Sequence, residues 1–358
     1  MKRGAVTVAG AAVQREQPAD DDGLFKVSQT KVGAWRTCRQ HWYYRFVMFL
    51  RPKIVKRPLK FGSVVHEMLH VETLGQNPFE HLEKIGEAQA PLLRQEREHY
   101  GDIIADIGYI MRAYYAYYTK QPLQRLRRKG HTGAEQLIDL QIGDIRVKGK
   151  VDDFISWEKK PSLLEHKTHA DFPNHDHRWK NTQSGVYIKM AQLLGWYPGI
   201  QGTLWNYIRS KKPTRPHINK TGDISARDIF TLPEVVVDVL NANGFKKIEQ
   251  HKVFQDAVRG LPLWFERTYT PIHQNVVNSI WRDFLGSARE MMDMGHRSAH
   301  NQIRTVGKHC NWCQFEPLCR AVWRNLDTEH ILKHEYVVDT TDYQDELTPF
   351  SGEEPNNV

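Results

Sequence analysis

The sequence predicts an α/β protein, a mixed central sheet flanked by helices with helical segments at either end. Three observations predict it. Apolar residues recur at helical spacing up to about residue 119, then alternate at strand spacing from Glu135 to Trp157. Beyond Trp157, strand-like and helix-like stretches interleave. Hydrophobic residues make up 40% of the 358, enough to bury a core. One domain is expected over 25–325, and no internal repeat is present.

Residues 1–24 are polar and rich in Gly and Ala, and are expected to form a disordered leader. Met1-Lys2-Arg3 precedes an Ala, Val and Gly run without Leu or Phe, which reads as a leader and not an export signal. Ser28 can cap a helix over 29–48 that carries Trp35, Cys38, Trp42, Tyr43, Tyr44 and Phe46. A Pro- and Lys-rich loop follows, then helices over 62–74 and 93–119. The alternation in 135–157 gives two or three antiparallel strands. Residues 162–167 form an apolar strand ending in charge, 183–196 a helix and 202–209 another strand. An irregular insert with three prolines covers 211–233. Helices are expected over 234–258 and 273–295. The tail from 326 is acidic and expected to be loose after about 335. After Lys333 it holds seven acids and neither Lys nor Arg.

Charge and motifs narrow the function. No apolar run approaches the roughly 18 residues of a membrane span. No Gly-x4-Gly-Lys-Ser/Thr loop is present, which excludes a helicase or ATPase activity in this chain. Net charge is +8, with basic runs at 51–60, 125–129 and 209–220. This balance favours an anionic partner, of which nucleic acid is the commonest, although any one such run is more often solvated surface.

The four cysteines are Cys38 and the cluster Cys310, Cys313 and Cys319. Without an export signal they point to a reducing compartment, hence a cytoplasmic protein, and to a metal site. Four thiolates can hold Zn2+ or a [4Fe-4S] cluster, and the spacing alone leaves both open.

Asp152 ends one strand, and Glu165 and Lys167 lie on one face of the next because strand side chains alternate. If the strands are adjacent, two carboxylates meet, and a hard divalent cation relieves their repulsion. Such an ion polarises a phosphate and activates water, while the lysine offsets charge in the transition state. A rival pattern is His66-Glu67-Met68-Leu69-His70, which matches the H-E-x-x-H of zinc metalloproteases. It lacks the downstream Gly and His of the extended form, where Thr73 and Gln76 stand. It also leaves the cysteines and Asp152, Glu165 and Lys167 without a role. A nucleic-acid-binding protein without catalysis is a further alternative, against which Lys167 argues. Trp35, Trp42, Tyr43 and Tyr44 interleave with Arg36, Arg39 and Arg45, but helical spacing makes most of these rings core.

Gly149-Lys150-Val151-Asp152, Leu163-Leu164-Glu165-His166-Lys167, Gln183-x3-Tyr187 and Gly62-x3-His66 together resemble the PD-(D/E)XK nucleases of the RecB type. Cys38 with Cys310-x2-Cys313-x5-Cys319 resembles the iron-sulfur staple of one branch, found in AddB-type subunits, CRISPR-associated adaptation nucleases and phage exonucleases. The resemblance runs in order from Ser28 to Cys319. It implies a restriction-endonuclease-like core and Mg2+ or Mn2+ held by His66, Asp152 and Glu165, with the His166 carbonyl as a further ligand. It also implies that Lys167 is catalytic, that Gln183 and Tyr187 line the DNA path, and that the cysteines hold [4Fe-4S] rather than zinc. Arg209 is a further candidate for strand contact. The implied function is a DNA exonuclease acting on single strands or duplex ends, in phage or bacterial recombination, replication or repair. A separate helicase or recombinase is a possible partner under that reading. The insert and the acidic tail fall outside these motifs.

Overall fold

The computed structural model describes residues 23–89, 98–128, 135–173, 175–197, 199–225, 227–294 and 303–339. The leader up to residue 22 and the tail from residue 340 lie outside the described residues.

Two sheets share one continuous stretch of chain. A three-stranded sheet has the order β1 (Phe25–Val27), β5 (Ile145–Val151), β4 (Gln136–Ile142). A five-stranded sheet has the order β3 (Gln124–Arg125), β6 (Asp153–Trp157), β7 (Lys160–His169), β8 (Gly202–Arg209), β9 (Phe265–Pro271). Only Asp152 separates β5 from β6, so the chain passes from one sheet to the other at that residue. The sheets are mixed. β1–β5 and β7–β8 run parallel, while β4–β5, β6–β7 and β8–β9 run antiparallel. The expected mixed sheet flanked by helices is therefore present.

Helices α1 (Gln29–Thr37), α6 (Thr182–Leu193) and α9 (Gln274–Met294) share one core with Ile138, Val147, Phe154 and Leu163. Helices α3 (Arg57–Thr73) and α5 (Ile103–Tyr118) share a second core with Ile208 and Phe265. Strand alternation puts Leu163 in the first core, while Leu164 and Leu204 pack with Ile155 in a third, small cluster and Ile208 joins the second core. Trp35 and Trp42 are core, as their spacing predicts, and their rings meet edge to face at 4.8 Å.

Several elements differ from expectation. The helix expected over 29–48 is two, α1 and α2 (Arg39–Phe46), because Cys38 is extended (φ −164°, ψ 114°) and ends one as it begins the other. Ser28 caps α1 as predicted, its hydroxyl accepting from Lys31 N–H at 3.2 Å. The helix expected over 234–258 is likewise two, α7 (Pro233–Ala242) and α8 (Lys252–Arg259), interrupted at Gly244 with φ +76°. Helix α4 (Pro78–Gln89), strand β9 and strand β2 (Leu50–Pro52) were not anticipated. The described part of the tail, up to residue 339, is structured past 335. After α10 (Glu316–Trp323) and α11 (Glu329–Glu335), β10 (Tyr336–Val338) pairs antiparallel with β2. Tyr336 is buried there, stacked on Phe315 at 5.7 Å. Apolar burial at this one ring decides the local structure despite the acidic composition.

Candidate active site

Asp152 sits at the junction of the two sheets, beside β7, because Asp153 is in register with Leu164. Its Oδ2 accepts the His166 main-chain N–H at 2.7 Å, and its Oδ1 lies 3.3 Å from His66 Nδ1. His66 arrives on α3, which approaches β7 closely because residue 62 is glycine. A Cβ there would lie 3.0 Å from Thr168 Oγ1. On β7, Glu165 and Lys167 face the same side, and Lys167 Nζ bridges Glu165 Oε1 at 2.5 Å and Gln183 Oε1 of α6 at 3.3 Å. The structure thus brings His66, Asp152, Glu165, Lys167 and Gln183 together.

The electrostatics are those of a crowded acidic pair. Burial and the charge of Asp152 push the Glu165 carboxyl up to about 7, although Lys167 opposes this. Burial would also raise Asp152, but the charge and hydrogen bond of His66 override it and hold that carboxyl well below the usual range. His66 is raised in turn, since Asp152 outweighs the burial that disfavours imidazolium. Lys167 is raised because Glu165 outweighs its burial. Glu165 Oε2 is buried with no hydrogen-bond partner. A buried, unsatisfied carboxylate oxygen beside a second carboxylate and an imidazole fits a hard cation. In this conformation the acids are engaged by His66 and Lys167. No three His, Cys, Asp or Glu side chains among the described residues close on a common metal position.

The His166 ring turns to the opposite face. Burial lowers its pKa to about 3, so it is neutral, and its Nδ1 accepts from the Asn206 amide at 2.7 Å. Asn206 Oδ1 accepts in turn from Tyr114 Oη and Arg267 Nε, each at 3.2 Å. This buried network braces β7 from behind, and sequence reasoning missed it because no local pattern encodes the register His166↔Asn206. Asp153 was also passed over. It is fully buried and pairs with Arg125 Nη1 at 2.5 Å. Adjacent aspartates thus divide their work, one facing the site and one locked behind it.

Tyr187 lies in the core, 6% exposed, its ring against Gly149, where a Cβ would come within 2.6 Å of Tyr187 Cε1. Arg209 ends β8, two residues beyond Tyr207, the register partner of Lys167. It pairs with Asp171 at 3.4 Å and lies over the rings of Phe172 and Phe230.

His70 does not join His66. Its Nδ1 faces Glu135 Oε2 at 3.8 Å, and Glu67 instead meets Ser63 and His81. The H-E-x-x-H residues are therefore divided among separate partners.

Cys38, Cys310, Cys313 and Cys319 line one cavity of about 190 Å³, and none forms a disulfide. Burial, then the nearby Cys38, Cys310 and Cys319, raise the Cys313 thiol. His41 Nδ1 lies 3.4 Å from Cys313 Sγ.

A family model described as the PD-(D/E)XK nuclease superfamily matches residues 26–320, most of the chain. The chain belongs to the PD-(D/E)XK nuclease superfamily. Members of this superfamily typically use Mg2+ or Mn2+. Among solved structures, SSO0001 is similar at 12% identity and TM-score 0.30, over 83% of this chain and 86% of that one. A Eubacterium rectale protein is similar at 13% identity and TM-score 0.34, over 67% and 81%. A phage-related exonuclease from Haemophilus somnus 129PT is similar at 12% identity and TM-score 0.21, over 65% and 80%. No curated protein matches the chain. Among the described residues of this PD-(D/E)XK protein, no helix is long and apolar enough to cross a membrane.

Proposed function

We propose that this chain is a divalent-metal-dependent DNA exonuclease. One observation carries the reading: the unpartnered Glu165 Oε2, buried where Asp152 and His66 meet, with Lys167 alongside. His66, Asp152 and Glu165 would hold Mg2+ or Mn2+, with the His166 carbonyl as a fourth candidate ligand. The ion supplies Lewis acidity at the scissile phosphate and a more acidic water. Lys167 Nζ, fixed between Glu165 and Gln183, orients the attacking water and offsets the charge that builds on the phosphate. An ion held by Glu165 would share that carboxylate with Lys167, which Gln183 also holds in place. Gln183 and Arg209 are assigned to the DNA path. Tyr187 supports that path from the core by packing on the strand that leads to Asp152.

Four unbridged thiols line one cavity, and once deprotonated they would be able to draw together on a metal group, whose charge would offset that of the thiolates. We assign them to [4Fe-4S], with zinc as the alternative, in a role that ties α1–α2 to the C-terminal segment. The resemblance to RecB-type enzymes supports action on single strands or duplex ends. It supports a cytoplasmic setting in phage or bacterial recombination, replication or repair, beside a helicase or recombinase.

Labelled linear and circular DNA incubated with Mn2+ tests the reading. Wild-type protein is expected to degrade linear DNA. Lys167→Ala and Glu165→Gln are each expected to lose about 100-fold or more, the usual cost of removing an electrostatic or proton-transfer group. Cleavage that persists in both variants overturns the site assignment, and equal cleavage of circles overturns the exonuclease mode. A colourless anaerobic preparation containing zinc removes the iron-sulfur assignment alone.

A further inference from the structure

The insert that follows β8 lies outside every motif, yet it is a built structure. Ile218 and Ile224 form an antiparallel bridge, Ser225 N–H donates to His217 O at 2.9 Å and Asn219 N–H donates to Asp223 O at 2.8 Å. Gly222 takes φ +85° in the turn between them, a conformation that favours glycine. Ile218 and Ile224 pack onto Val236, Leu240 and Ala257 of α7 and α8. Where the insert returns, Thr214 N–H donates to Phe230 O at 2.8 Å.

This scaffold presents cations. Lys211, Lys212, Arg215, Lys220 and Arg227 are all exposed, and none makes an ion pair among the described residues. A cavity of about 360 Å³ opens in it, lined by Thr214, Arg215, His217, Ser225, Arg227 and a single acid, Asp228. Residues that carry two guanidinium groups, an imidazole and two hydroxyls line this concave surface, a donor set that suits the oxygens of a phosphodiester. A solvated lysine run needs no such frame. The insert also starts in the right place, because Ser210 N–H donates to His169 O, two residues past Lys167. Four residues of extended chain from Tyr207 to Lys211 span about 13 Å, roughly the rise of four base pairs along one strand.

We propose that this hairpin is a second DNA-backbone site, holding the phosphates of substrate that extends past the cleavage position. The proposal rests on the reading of the chain as a DNA nuclease. It makes the enzyme length-sensitive, since only substrates long enough to reach Arg215 and Arg227 gain from it.

The test is the variant Lys211→Ala, Lys212→Ala, Arg215→Ala, Arg227→Ala, with the hairpin-tip variant Lys220→Glu alongside. All five side chains are exposed, so thermal melting is expected to match wild type. Binding of fluorescent DNA in EDTA, without turnover, is expected to weaken about 10- to 100-fold for long oligonucleotides. Its salt slope should fall by about 3 to 4, at about 0.7 to 0.9 for each of four phosphates no longer neutralised. Short oligonucleotides are expected to bind and be cleaved as by wild type. Unchanged affinity and slope on long DNA overturn the proposal. So does a deficit confined to inorganic phosphate or free nucleotide, which makes the cavity a small-anion site. If wild type cleaves no DNA while the variant still binds it more weakly, the nuclease reading fails and the DNA-backbone site stands.

Discussion

Arg125→Met tests how the site's rear support is built. Arg125 Nη1 meets Asp153 Oδ2 at 2.5 Å, and Asp153 is wholly buried while Arg125 is 18% exposed. Burial raises the Asp153 carboxyl, and Arg125 is the largest force that lowers it. Methionine keeps the aliphatic stem but leaves a buried carboxylate without its counter-ion, which costs about 3–5 kcal/mol when one partner of a buried pair is removed. The second Arg125 partner, Glu72, is 42% exposed, and breaking that surface pair adds little. The cost depends on pH. Asp153 is raised in the native protein, and without Arg125 it is raised further. Native protein then takes up a proton more readily than the unfolded chain, so stability is greatest at low pH and falls as pH rises through the folded pKa. Urea unfolding at pH 8 is expected to show the full loss, and at pH 5 a smaller one. Arg125→Met combined with Asp153→Asn should lose less at pH 8 than Arg125→Met alone, and its deficit should be independent of pH. An Arg125→Met deficit of the same size at both pH values refutes this account, because the penalty then comes from packing and not from charge.

Three further outcomes follow from the geometry. Glu165, pushed up to about 7, must shed its proton to bind an ion, so Mn2+ affinity measured by calorimetry should rise with pH through about 7, and Glu165→Gln should reduce that rise to the share left by His66, whose imidazolium must also deprotonate. Glu165's own contribution to the stability of the metal-free protein should conversely fall as pH rises from the usual carboxylate range to about 7, read as the pH-dependent difference between wild type and Glu165→Gln. Gly185→Ala should destabilise by about 1–3 kcal/mol through overpacking, because its Cβ would meet Ile280 Cδ1 at 2.6 Å and Cγ2 at 2.8 Å. Adding Ile280→Ala should recover part of this in chemical denaturation. Cys38→Ser should abolish metal at the cysteine cavity by elemental analysis while leaving Mn2+ binding at Glu165 intact, and loss of both would mean that the two centres are not independent.

The sheet was legible where local sequence carries its own period. Alternation marked β4, β5 and β6, an apolar run ending in charge marked β7, and the period of a strand placed Glu165 and Lys167 on one face. The histidine helix was legible in Gly62-x3-His66, and the close approach at Thr168 shows why glycine is needed there. What stayed hidden depends on partners far along the chain. Nothing near Cys38 marks a helix break, neither Gly nor Pro, and the residue is extended between two helices that read as one. Strand β9 is polar and only partly buried over most of its length, so it lacks the signature of a core strand. Asn206 and Arg267 brace His166 only because β8 lies between β7 and β9, a register that no single segment encodes.

The break at Cys38 links the two centres through the backbone. β1 pairs in parallel with β5, whose end delivers Asp152, and α1 runs from β1 to Cys38. Trp35 on α1 bonds Glu290 of α9 through Nε1 at 3.3 Å, and Arg36 bonds Ser287 at 2.8 Å, so α1 is held against the helix that also packs on α6. α6 in turn carries Gln183, which holds Lys167. A group bound by Cys38, Cys310, Cys313 and Cys319 would therefore fix the far end of α1. It would close a loop that contains the whole five-stranded sheet, and limiting the freedom of so long a loop in the unfolded chain is worth about 5–6 kcal/mol in the chain-entropy treatment. That constraint bears on the terminal helices and on β1, not on the second core of α3 and α5, which supplies His66. β1 and β5 thus lie between the cysteine lobe and Asp152, and the lobe supplies no side chain to the site, while His66 is held by a separate core.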